Sequence, residues 1–393
     1  MGLTRPTRPS QRAMGMGEFD TIIIGAGIAG MSAAYELSKK QKVLVLEQET
    51  HLGYHSTGRS AAVYAASYKS SDSAIQILTH ASWPMFKNPP AGFTENQLYR
   101  DRGLLYIADR SQLNELASFY DDLRSANAEV EWVGKNFISE KFPLLRDQYT
   151  DNAVYDQNVY DIDVNELSEG CRRALRQSGG GIKSAFRVTE LVKKSDQWVV
   201  SNGEETFQAR NLVNAAGAWC DEIAELAHVS TIGIQPMRRS AVLINVDAND
   251  KIEDFAGWPM TVEFKESFYF KPDAGKLLVS PANEDLSVPC DVQPEELDVA
   301  YAADFAEKVL HLTVKRIDHS WAGLRSFVPD RGPVIGFDPE AEGFFWLAGQ
   351  GGTGVQTAPA AARLAASLIL GEGVPHDLQD LGLSADMVSP GRL

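Results

Sequence analysis

Thr21-Ile-Ile-Ile-Gly-Ala-Gly-Ile-Ala-Gly30 decides the fold. An apolar, β-branched run ends in Gly25, Gly27 and Gly30, and a helical pattern follows to about Ser38. A second apolar run, Val43 to Leu46, ends on Glu47. This is a strand, a glycine turn, a helix, a strand and an acid. The order predicts a phosphate cradle. Gly25 supplies the tight turn, Gly27 lets a pyrophosphate approach the backbone, and Gly30 lets the helix pack on the strand. The helix N-terminus offers free N–H groups and a positive dipole end to the phosphate. Glu47 stands where a carboxylate accepts both hydroxyls of an adenosine ribose.

The chain has 393 residues, which predicts two intertwined domains, since domains usually run about 100–200 residues. It is 44% apolar and 23% charged, an ordinary composition for a globular protein. A net charge of −16 argues against a general nucleic-acid surface. No apolar run approaches the roughly 18 residues of a bilayer span, so the expected location is the cytoplasm, with peripheral membrane association left open. Cys171, Cys220 and Cys290 lie far apart and form no Cys-x-x-Cys pair, so neither a metal knuckle nor a redox dithiol is encoded. Residues 1–17 read as a flexible extension in preference to a targeting segment.

Further on, residues 111–128 carry Leu113, Leu116, Phe119, Tyr120 and Leu123 at helical spacing. Asn202-Gly203 between apolar runs signals a hairpin. Ser240–Val246, Met260–Phe264, Phe268–Lys271 and Lys276–Ser280 alternate as an antiparallel sheet with one buried face, with Pro272-Asp-Ala-Gly275 as a turn. Phe344–Ala348 feeds Gly349-Gln-Gly-Gly-Thr-Gly354 and a helix from Val355 to about Leu370, a second strand–glycine–helix junction. The expected fold is a two-domain α/β and α+β chain. A Rossmann-like, parallel-sheet domain of the glutathione-reductase type carries an antiparallel-sheet substrate domain. The expected division gives residues 18–95, 155–225 and 320–393 to the first and 96–154 and 226–319 to the second.

Three features favour FAD over NAD. One glycine fingerprint is complete. The Gly349–Gly354 loop opens a helix without a downstream acid, and that helix end suits the negative charge of a reduced flavin ring. Asn214-Ala-Ala-Gly-Ala-Trp219 is a small-residue wall suited to a flat ring.

Gly25–Gly30, Gly58-Arg-Ser60, Asn214–Trp219, Trp321-Ala-Gly-Leu-Arg325 and Gly349–Gln356 occur in that order. Together they resemble the D-amino-acid oxidase superfamily, which includes glycine oxidase and sarcosine oxidase. The nearest likeness is to the bacterial FAD-dependent D-arginine dehydrogenases, through Gly53-Tyr-His-Ser-Thr-Gly-Arg-Ser-Ala-Ala62, Asn88-Pro-Pro-Ala-Gly-Phe93, Ser267-Phe-Tyr269 and Ser280-Pro-Ala-Asn283. The resemblance runs from about residue 19 to the C-terminus. It implies noncovalent FAD held by Gly25, Gly27, Ala29, Gly30, Glu47, Gln48, Ser56, Thr57, Gly58, Arg59, Ser60, Ala61, Ala62, Val63, Val188, Ala216, Gly217, Trp219, Gly323, Gly351, Gly352, Thr353, Gly354, Val355 and Gln356. It implies a substrate carboxylate clamped by Arg325 and Tyr269, with Arg239 and Tyr68 nearby, and an amine bonded to the Gly352 carbonyl. An arginine fork suits a carboxylate because it offers two parallel N–H bonds. The implied reaction is hydride transfer from Cα to flavin N5, followed by hydrolysis of the imino acid to a 2-oxo acid and ammonia. The electron acceptor is oxygen, a quinone or another carrier. His55 stands near where some relatives attach flavin covalently, but a loop contact is the favoured reading.

The chain departs from the D-arginine enzymes at three positions. The glutamate that holds the guanidinium falls at Leu104, or at Gly103 with a one-residue shift; a pocket histidine is Val63; an adjacent polar position is Ala65. All three point to an apolar side-chain pocket. An unpaired guanidinium there costs several kcal/mol, so neutral or apolar D-amino acids are the expected substrates. A glycine- or sarcosine-type amine oxidase is the alternative within this chemistry, and a non-catalytic flavin-binding protein the alternative outside it. The missing dithiol excludes a flavin disulfide reductase.

Overall fold

The structure, a computed structural model, describes residues 17–67, 74–246 and 255–393. The glycine stretch lies at the centre of an eight-stranded sheet. Gly17–Ile24 runs parallel between Thr206–Asn214 and Val43–Leu46. Gly181–Lys183 continues the parallel order beyond Val43–Leu46, and Phe344–Ala348 pairs in parallel with the end of Thr206–Asn214. These strands are apolar at consecutive positions because both faces are covered. Ile23, Val43 and Val45 pack under helices Ile28–Leu37 and Gly354–Ile369. Ile22, Ile24, Leu44 and Leu46 face Trp198, Leu212, Phe344 and Trp346 on the other side. The two glycine junctions, distant in sequence, thus meet on one sheet.

The second sheet has nine strands, among them Gln235–Ile244, Met260–Glu263, Tyr269–Asp273, Lys276–Ser280 and Ile317–Phe327. The expected antiparallel order holds with one exception. Met260–Glu263 pairs in parallel with Leu104–Ile107. The segment between them passes through the dinucleotide unit, so no hairpin dictates opposite directions. Lys276–Ser280 follows Tyr269–Asp273 through a tight turn at Ala274 and Gly275, with φ of 48° and 74°, one residue later than the Pro272 start suggested. Ile317–Phe327 crosses the expected boundary at residue 320 and pairs along the whole of Gln235–Ile244. Asn152–Asp156 likewise crosses the expected boundary at 155. Long strands carry side chains from one unit to the edge of the other, and the site lies there. The helical spacing at 111–128 forms a 3-10 turn, Arg110–Gln112, capped by Asp109, and then the helix Leu113–Ser125.

Candidate active site

Gly25 has φ of 103°, and a β-carbon there would overlap the Ala215 carbonyl oxygen. A β-carbon on Gly30 would overlap the carbonyl oxygen of Gly25. Both glycines are therefore required by backbone approach, the first by its left-handed conformation as well. The helix starting at Ile28 has no acid in its first turn and Gly27 as its N-cap. Its Ile28 N–H donates to Thr57 Oγ1 at 2.9 Å. Glu47 is buried at the strand end. One carboxylate oxygen accepts from Ala26 N–H at 2.7 Å and the other from Glu49 N–H at 2.9 Å. The glycine turn thus orients the acid, and lone pairs remain for ribose hydroxyls.

Two cavities that share lining residues adjoin this turn. One is lined by Glu47, Gln48, Val188, Ala216 and Trp219. The other holds Ala29, Ser60, Ala61, Ala62, Val63, Gly323 and every residue from Gly351 to Gln356. Gly27, Ser56, Thr57 and Gly217 line both. A dinucleotide fits this shape: Glu47 and Trp219 would hold the adenosine end, the Gly27 turn the pyrophosphate, and the second cavity a flat ring. Replacing Glu47 by Ala is expected to weaken FAD about tenfold or more, because it removes charge-assisted bonds and strands the buried Ala26 N–H. Titration of apoprotein with FAD, followed by flavin fluorescence, measures this.

The second cavity continues onto one face of the nine-stranded sheet. In Gln235–Ile244, Arg239 and Ala241 point into it; in the facing strand, Trp321, Gly323 and Arg325 do. Arg239 lies opposite Gly323, and Met237 opposite Arg325, so the two arginines are diagonal neighbours on one face. Arg238 points the other way, into ion pairs with Asp285, Glu295 and Asp298. Leu104, Tyr106, Met260, Val262 and Tyr269 complete the face from three further strands. Arg239 Nε donates to the Asn283 carbonyl at 2.8 Å, and its Nη2 to Glu284 at 3.2 Å. The Arg325 guanidinium lies against Gly352, where a β-carbon would stand 3.1 Å from it. Val63, Ala65 and Leu104 form an apolar part of the wall, which also carries Glu266 and Gln350.

Most of the residues expected at the site meet in these two cavities, but several do other work. Gly30 and Gly58 serve backbone packing: Gly58 N–H donates to the Gly53 carbonyl at 2.8 Å. Arg59 lines the cavity, yet its guanidinium is occupied by the Val292 and Ala322 carbonyls and by Asp291. That pairing holds the Asp291 carboxyl below its usual range. Gln356 ties two elements together, accepting from Ala65 N–H at 3.0 Å and donating to Thr79 at 3.1 Å. His55 pairs with Glu49 at 3.0 Å and packs on Trp219, at the Glu47 end and away from Arg325. Tyr68 lies outside the described residues. Sequence reasoning missed Tyr106, Met260, Val262 and Ala241; the alternation of their strands was the available signal.

Burial pushes the Cys171 thiol up to about 12 and raises Cys220 as well, so both are packing groups. Among the described residues, no helix is long and apolar enough to cross a membrane, and no cluster of His, Cys, Asp and Glu is arranged to hold a metal.

A glycine-turn sheet that presents an acid and a cavity to a second sheet is the architecture of a dinucleotide-binding protein. The family model described as FAD dependent oxidoreductase (DAO) matches residues 20–368, and the chain belongs to that family. It is 21% identical to a glycine oxidase of Geobacillus kaustophilus over 93% of this chain and 97% of that protein. It is 26% identical to the human peroxisomal sarcosine oxidase over 52% of each chain. An L-proline dehydrogenase structure from P. horikoshii superposes with a TM-score of 0.80 at 21% identity, covering 96% of this chain and 98% of that one.

Proposed function

We propose that this FAD-dependent oxidoreductase oxidises the carbon–nitrogen bond of a small amino acid, as a glycine- or sarcosine-type amine oxidase. The observation that carries the reading is that Arg239, Arg325 and Tyr269 line one cavity with an apolar stretch of wall. Two neighbouring guanidiniums and a phenol on one cavity lining suit a carboxylate. The Gly352 carbonyl beside Arg325 is the acceptor we assign to the substrate amine. FAD, when bound, supplies the two-electron acceptor. The protein's own residues then fix which bond faces it, by anchoring the carboxylate and setting the rest against the apolar stretch of wall. The names of the glycine and sarcosine oxidase relatives support the small-amine reading. A second reading, neutral D-amino acids, is favoured by Val63, Ala65, Leu104, Met260 and Val262, which form a wall able to receive an apolar side chain.

Anaerobic flavin bleaching against glycine, sarcosine, D-alanine, D-leucine, D-phenylalanine, D-arginine and the L-isomers tests both. Rapid bleaching by glycine or sarcosine supports the first reading, and by apolar D-isomers alone the second. D-Arginine is expected about 100-fold or more below the best substrate in kcat/KM, since its guanidinium would meet Leu104 and Val63. D-Arginine as the best substrate overturns the pocket argument. No bleaching with flavin bound overturns both readings.

A further inference from the structure

Behind the cavity, Glu284 joins three guanidiniums. Its Oε1 accepts from Arg239 at 3.2 Å and lies 3.8 Å from Arg325 Nη1, and its Oε2 accepts from Arg331 at 2.9 Å. The loop that carries it is fixed. Asn283 accepts from Ser240 N–H through its side chain at 2.9 Å and from Arg239 through its carbonyl at 2.8 Å. Ser280 Oγ bonds the Ser240 carbonyl at 2.7 Å and takes the Ala282 N–H at 3.1 Å. Arg331, the outer partner, sits 3.7 Å above the Phe327 ring.

We propose that Glu284 is a specificity-determining residue that sets the charge the cavity accepts. Arg239 and Arg325 bring positive charge to the clamp, and Glu284 offsets part of it while sharing its own charge with Arg331 outside. A second carboxylate on the substrate is repelled by Glu284 behind the clamp arginines and by Glu266 on the cavity lining. Glu284 thereby favours monocarboxylic amino acids and disfavours dicarboxylic ones. This deepens the proposed function and rests on its carboxylate clamp.

The test uses the FAD-loaded protein as wild type, Glu284→Gln, Arg331→Gln and the double variant. Each is titrated with acetate and with malonate at fixed ionic strength, and Kd is read from perturbation of the flavin spectrum. Glu284→Gln is expected to bind acetate about threefold and malonate about tenfold more tightly than wild type, the range of a partly exposed charge at this separation. Arg331→Gln leaves Glu284 wholly to the inner pair, so acetate binding weakens about threefold, and this loss vanishes in the double variant. The two single variants therefore move in opposite directions. Equal malonate-to-acetate ratios in wild type and Glu284→Gln overturn the proposal. So does an Arg331→Gln loss that persists in the double variant. If neither anion perturbs the flavin in any of the four proteins, the clamp fails and the proposal falls with it.

Discussion

Replacing Arg325 by Lys is expected to lower kcat/KM by about one to two powers of ten with flavin content unchanged, the cost of losing one of two charge-assisted hydrogen bonds. Lysine keeps the charge but not the fork. Its single ammonium cannot offer two parallel N–H bonds to a carboxylate. The position also constrains shape. The guanidinium packs against Gly352, whose carbonyl is assigned to the amine, so carboxylate and amine anchors are set by one contact. A shorter, rounder head group loosens both, and misplacement of the reacting bond is costly in rate. Steady-state kinetics with the best substrate of the bleaching panel give the number, and the acetate Kd gives an independent reading. A drop below about fivefold in both would remove Arg325 from the clamp, because even an ordinary charged hydrogen bond contributes more.

The second large effect is expected at Gly30. In an ordinary helix interior, Gly→Ala stabilises by up to about 1 kcal/mol. Here the added β-carbon overlaps the Gly25 carbonyl oxygen and presses on Ile23. Both belong to the strand and turn that form the cradle, so the helix must move away from the sheet. The expected cost is about 3 kcal/mol, at the upper end for overpacking, together with loss of bound flavin. Gly27→Ala is the contrasting variant. Its β-carbon would meet only the Thr57 hydroxyl, at 3.3 Å, and a side chain gives way more easily than backbone. That variant should keep its thermal midpoint without cofactor and lose FAD affinity, because the methyl stands where phosphate approaches. Thermal unfolding of the apoproteins and the flavin-to-protein ratio after desalting separate the two. Equal midpoints for Gly30→Ala and wild type would show that the helix does not need this close approach.

Much of the dinucleotide half was legible because its signals are local. The left-handed Gly25, the close-packed Gly30 and the acid ending the second strand lie within one strand–helix–strand unit. Val63, Ala65 and Leu104, singled out in the sequence, line one cavity together, whereas Glu266 and Gln350 on the same lining were not foreseen. The function of Arg59 was not legible. Its motif suggested a cofactor contact, yet its guanidinium bonds Val292, Ala322 and Asp291, all distant in sequence.

The amino-acid sequence alone marked a glycine turn with an acid at the next strand end, the apolar residues of an expected pocket, and a set of candidate arginines and tyrosines. Tertiary structure decided which of those charged groups share a surface. Arg239 and Arg325 face one cavity because their strands pair in a register that makes them diagonal neighbours, while Arg238 faces away. Glu284 reaches both through a loop pinned by Asn283. Register fixes such encounters, and it is set by packing between segments far apart in the chain, which local spacing does not encode.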